Sequence, residues 1–221
     1  MNNYKQTIID YIEGRISPKD FESMLDSDEA LITWIQTNIV IAGKQYSDLD
    51  METRQVVYQP YHIRLRMKKL ERLDMGGPKG SVGYHHYLHK EFIQLMNEAF
   101  PDLELYPDTK PAILNDMKYD VIPEYIDGQE VAASNILTEI LESVPLDIAK
   151  SKRIKLAKER VRAAFHIEGR KYPHWIQPAE WPVSNGKPMR YIKTTKVNPE
   201  FVQHHFEDVD TGEARIVDDF F

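Results

Sequence analysis

Pro173-His174-Trp175-Ile176-Gln177, Glu180-Trp181-Pro182, Gly186-Lys187-Pro188-Met189 and, further on, Phe206-Glu207-Asp208 with an Asp210-Thr211-Gly212 turn decide the fold class of this chain. Prolines at 173, 178, 182 and 188 exclude a helix here, because proline lacks the N–H and its ring collides with the preceding turn. Met189 to Lys193, Phe201 to Asp208 and Ala214 to Asp219 predict strands, and Asp210-Thr211-Gly212 predicts a hairpin turn. Upstream, the apolar residues recur at helical spacing. The expected class is therefore α+β, a mainly helical body followed by a small antiparallel C-terminal sheet. The change of character divides a helical region, 1–167, from a β-rich region, 168–221. The two are expected to form one structural unit, because so small a sheet has no core of its own.

Moving toward the N-terminus, Ala149 to His166 predicts a helix with Ile154, Ala157, Val161, Ala164 and Phe165 on one stripe. Helices are also expected over Pro111 to Tyr125 and Glu130 to Val144. Val82 to Phe100 is the strongest helix, stopped by Pro101, with Tyr84, Leu88, Phe92, Leu95 and Ala99 as its buried arc. Tyr61 to Leu73 predicts another helix. Residues 44–60 are polar, weakly patterned and broken by Pro60. In the first forty residues Gly14 is an expected stop. Ser17-Pro18-Lys19-Asp20 restarts a helix with serine as cap, proline in the first turn and an early acid. Gly43 is expected to end the last of these helices.

The chain has 221 residues, a net charge of −7 and no cysteine. Without cysteine there are no disulfides, no thiol catalysis and no thiolate metal sites. A negative net charge gives the wrong long-range field for nucleic acid or an anionic membrane. No basic segment leads into an apolar run at the N-terminus, and no stretch has the roughly 20 apolar residues of a membrane span. The expectation is a soluble, cytoplasmic protein.

His85 and His89 are four apart on the strongest helix, the spacing by which HExxH helices hold zinc. The position that should carry the glutamate base is His86. One enzymatic alternative is thus a site for zinc or another divalent metal at His85 and His89, completed by His62 or His166; otherwise no cofactor is expected. His204 and His205 sit on a strand, so their side chains point to opposite faces. Gly76-Gly77-Pro78-Lys79-Gly80-Ser81 departs from the GxxxxGK[ST] phosphate loop and reads as a helix connection with Ser81 as cap. Lys150, Lys152, Arg153, Lys155, Lys158, Arg160 and Arg162 form a basic ridge, a second alternative being nucleic-acid binding. No stacking aromatics interleave with them, and the acidic segment from Asp102 to Asp147 can balance them internally. No Gly-x-Ser-x-Gly nucleophile motif occurs.

The Trp175, Trp181-Pro182 and Gly186-Lys187-Pro188-Met189-Arg190-Tyr191 elements, with the ending through Phe206-Glu207-Asp208, Val217 and Phe220-Phe221, resemble the C-terminal signature of uncharacterised cytoplasmic proteins of Gram-positive bacteria. They are also similar to segments of small proteins associated with bacterial toxin–immunity loci. The resemblance covers the C-terminal part of the chain and the segment from Gly80 to Phe100, and it brings no catalytic residues. The leading expectation is a non-enzymatic bacterial protein that binds a protein partner, specifically immunity to a cognate toxin, with the acidic surface steering a basic partner. Trp175, Trp181 and Tyr191 would be the buried anchors, and Glu207, Asp208 and Asp210 the steering charges.

Overall fold

Three short helices open the chain, α1 (Tyr4–Ile12), α2 (Pro18–Ser27) and α3 (Glu29–Asn38). Each start is capped by the side chain preceding it. Asn3 accepts from the Gln6 N–H, Ser17 from Asp20, and Asp28 from Ala30 and Leu31, which satisfies donors a helix start leaves open. The computed structural model describes residues 3–39, 45–49, 53–72 and 76–220. Gly43, Leu73 and Phe221, assigned above to a helix stop, a helix end and the signature, lie outside them.

Where the sequence is weakly patterned, a two-stranded antiparallel hairpin forms from β1 (Gln45–Leu49) and β2 (Val56–Pro60). Next come α4 (Ile63–Leu70) and α5 (Val82–Ala99), the latter capped by Ser81 as expected. Then follow α6 (Lys110–Val121), a 3-10 turn at Glu124–Ile126, α7 (Gln129–Ala133), α8 (Ile136–Glu142) and α9 (Lys150–Ala164). The single helix expected from Glu130 to Val144 is two. Asn135 stands between them in the left-handed region at φ 59°, where Asn is among the few side chains tolerated. The C-terminal strands are β3 (Val183–Ser184), β4 (Lys187–Pro188), β5 (Arg190–Asn198), β6 (Phe201–Glu207) and β7 (Ala214–Phe220). The last three make an antiparallel meander in the order β5-β6-β7, beside a two-residue hairpin of β3 with β4. This is the mainly helical α+β architecture with a C-terminal sheet.

The chain divides into two compact units, 1–111 and 112–221, so α6–α9 share a unit with the sheet. The change of character at 167/168 lies inside the second unit.

In the first unit α5 is the central element. Tyr84, Leu88, Phe92 and Leu95 are buried as expected, but so are His85, His89 and Met96, which widens the buried face beyond one stripe. Tyr11 stacks on Phe21 at 3.9 Å between ring centroids, and Phe92 meets both edge-on.

In the second unit Trp181 is fully buried between Phe165, the residue that follows α9, and Phe206 of β6, with centroids at 5.3 and 5.4 Å. Gly128 approaches the chain at Ala179 so closely that a Cβ there would collide with the Ala179 carbonyl oxygen. Glu130 of α7 accepts two hydrogen bonds from the Arg215 guanidinium of β7 and one from the Val183 N–H at 3.0 Å. These contacts fix α7 and the 176–182 segment against the sheet.

Candidate functional site

Alternation along β6 sends His204 and Phe206 inward and His205 outward, the opposed arrangement expected of adjacent strand residues. The register places Thr194, His204 and Val217 side by side across the three strands, with Asp219 two residues further along the inner face of β7. His204 is 0% and Asp219 3% exposed. Their side chains meet at 3.1 Å, His204 Nε2 to Asp219 Oδ2, and Thr194 Oγ1 lies 2.8 Å from His204 Nδ1. The Tyr191 hydroxyl is 2.7 Å from Thr194 Oγ1.

The proton order follows from electrostatics. Burial holds the His204 imidazole below its usual pKa near 6.5, with its bond to Asp219 opposing the shift, so the ring is neutral at physiological pH. Asp219 as a carboxylate only accepts, which places the ring proton on Nε2. Nδ1 then accepts from the Thr194 hydroxyl, and Thr194 accepts from Tyr191. Asp219 also accepts the backbone N–H of Ile176 at 2.6 Å and of Gln177 at 3.0 Å, while the Gln177 amide donates to the Phe220 carbonyl. Trp175 covers the assembly, its ring 4.4 Å from His204, its Nε1 donating to the Tyr125 carbonyl at 2.9 Å.

Hydroxyl, imidazole and carboxylate in line have the order of a nucleophile, a base and its orienting acid. Here Asp219 is committed to two backbone donors besides the imidazole, and Trp175 lies against the ring. The arrangement ties the 175–177 segment to the last strand, and every polar group named is satisfied, the condition for burying such a network. The sequence reading missed it. The legible signal was an inward-facing histidine among Val202, Phe206 and Val217, which requires a polar partner on the neighbouring strand.

The residues expected at a partner contact do not form one surface. Trp181 is buried and donates to the Met189 carbonyl at 2.8 Å, so it offers nothing to a partner. Trp175 and Tyr191 are half-buried in the network above. Asp208 is buried and builds the hairpin turn by accepting from the N–H groups of Asp210 and Thr211. Its carboxyl is held below the usual range by the Ser184 hydroxyl and then by those two N–H groups. Glu207 pairs with Arg190 at 3.1 Å and Asp210 with Lys187 at 2.6 Å. Two of the three acids thus face a cation, and the third, Asp208, is taken up by the turn.

His85 and His89 do share one side of α5, yet each Nε2 has a protein partner. His85 meets Glu22 at 2.8 Å, and His89 meets the Ile12 carbonyl at 2.8 Å. His62 caps α4 by accepting from the Arg64 N–H. Among the described residues, no three His, Asp or Glu side chains gather as a metal ion would need.

The basic ridge of α9 is largely engaged. Lys150 pairs with Asp120 and Arg160 with the Ser143 hydroxyl, Arg153 donates to the Leu146 carbonyl, and Arg162 donates to those of Ile167 and Gly169. Among the described residues, no helix is long and apolar enough to cross a membrane. No protein-family model, no curated protein and no solved structure matches this chain.

Proposed function

We propose that the chain is a bacterial protein-binding protein without catalysis of its own, and that its role is immunity to a cognate toxin in the cytoplasm. The observation that carries this reading is the outward face of the C-terminal sheet. Its inner face is sealed by Phe206, His204, Val217 and Asp219, whereas Ile216 and Phe220, on the outer face of β7, are 51% and 52% exposed. Phe220 lies directly across from Phe201, so the apolar surface continues onto β6. Ile216 lies on one side of the Gln203–Asp218 hydrogen bond and the Phe220–Phe201 pair on the other, a mixture of exposed apolar and polar groups of the kind interfaces use. The likeness of this segment to proteins of toxin–immunity loci adds the partner class. The absence of cysteine accords with a reducing compartment.

The contact therefore moves from Trp181 and the acidic group to Ile216 and Phe220. A tagged protein is used to capture partners from lysate of the source organism at moderate salt, beside an Ile216→Glu/Phe220→Ser variant whose circular dichroism matches the parent. One stoichiometric protein held by the parent and lost from the variant is expected. Capture of no protein, or equal capture by both, would count against the reading.

A further inference from the structure

We infer that the free edge of β5 accepts an acidic, extended segment of the partner as a fourth strand; this rests on the protein-binding reading above. β5 is nine residues long and nearly all exposed, and among the described residues no strand lies on its far side. An unpaired strand of this length presents a row of free backbone donors and acceptors.

Charge selects the occupant. The other cations of this sheet and its flanking hairpin have acidic partners: Arg190 with Glu207, Lys187 with Asp210 and Arg215 with Glu130. Lys193 and Lys196 are exposed and, among the described residues, have no ion pair. They bound the segment between the register shifts at 191/193 and 196/198, where pairing with β6 is regular. Lys193 stands across from His205 on the outer face, and Lys196 across from Val202 on the inner one. An incoming strand thus meets a lysine on each face, three positions apart. Glutamate or aspartate at those two positions fixes its register, since opposite charges across a ladder attract and like charges repel.

The same lysines argue against a second copy. Pairing β5 with β5 about a two-fold axis between Thr194 and Thr195 would set Lys193 against Lys196 of the other chain. In that register the lysines repel a second copy, whereas an acidic strand would be attracted by them.

The probe is a short, fluorescein-labelled, Thr/Val-rich peptide with two glutamates three positions apart. Its control carries lysines at those positions. Fluorescence polarisation at low salt is expected to show the glutamate peptide binding roughly tenfold more tightly than the lysine peptide. Lys193→Glu/Lys196→Glu should reverse that order, and the bound peptide should slow amide exchange along 190–198. No binding of the glutamate peptide, no reversal, or exchange protection elsewhere would overturn the inference. A dimer in sedimentation that the double variant abolishes would assign the edge to a second copy instead. If a partner captured from lysate is held equally by the double variant but lost from Ile216→Glu/Phe220→Ser, the edge inference falls and the binding function stands.

Discussion

At the scale of single residues, His204 and Asp219 are the most consequential pair, because both are buried and each completes the other. The folded state holds His204 below its usual pKa near 6.5, so the unfolded chain binds its proton more readily than the folded one. Stability is then undiminished above that value and falls as pH drops through it toward the lowered folded value. Thermal unfolding followed by tryptophan fluorescence, which reports Trp175 on the imidazole, should show Tm falling as pH is lowered from about 7 to 5. A His204→Gln variant should flatten that part of the profile, and an unchanged slope would mean that the group titrates normally. Asp219→Ala should cost about 3–5 kcal/mol, since it strands the Ile176 and Gln177 N–H groups and the imidazole together. Urea denaturation measures this cost.

At the scale of elements, two backbone constraints hold the second unit. Asn135 separates α7 from α8 in the left-handed region, and Gly128 lets the chain pass under Ala179. Asn135→Gly should be nearly neutral, whereas Asn135→Val should cost about 1–2 kcal/mol, because a branched Cβ clashes at positive φ. Gly128→Ala should cost at least as much, because the obstruction is a backbone carbonyl that cannot rotate aside. Equilibrium unfolding of the three variants checks the order. α5 and β6 were legible because each has a buried side. α5 announced itself through Tyr84, Leu88, Phe92 and Leu95, and β6 through inward Phe206. The β1–β2 hairpin did not. Its Val56 and Tyr58 are 57% and 69% exposed, so these two apolar residues mark no buried face. The break at Asn135 was hidden because a helical apolar pattern runs through it. The histidine pair of α5 was visible, but its partners Glu22 and Ile12 come from other helices, which spacing along α5 cannot reveal.

At the scale of the whole molecule, charge is distributed differently from its sequence tally. The net charge is −7, yet Glu207 and Asp210 of the expected steering group each meet a cation, and among the described residues Lys193 and Lys196 of β5 meet no acid. Composition thus pointed to a basic partner, and the arrangement of pairs points to an acidic one. The latch between Asp219 and the 176–177 backbone has a bearing on the order of assembly. The meander β5-β6-β7 joins neighbours through short turns, whereas the latch joins residues 43 apart in the chain. Closing so long a loop costs more chain entropy than closing a hairpin, so the latch belongs to the downhill side of the folding barrier. Asp219→Asn should therefore accelerate unfolding in stopped-flow measurements and leave the refolding rate nearly unchanged; slowed refolding would place the latch in the nucleus. The acid that sets the equilibrium strength of this unit is then also its kinetic bolt, governing how long the sheet stays shut more than how fast it is made.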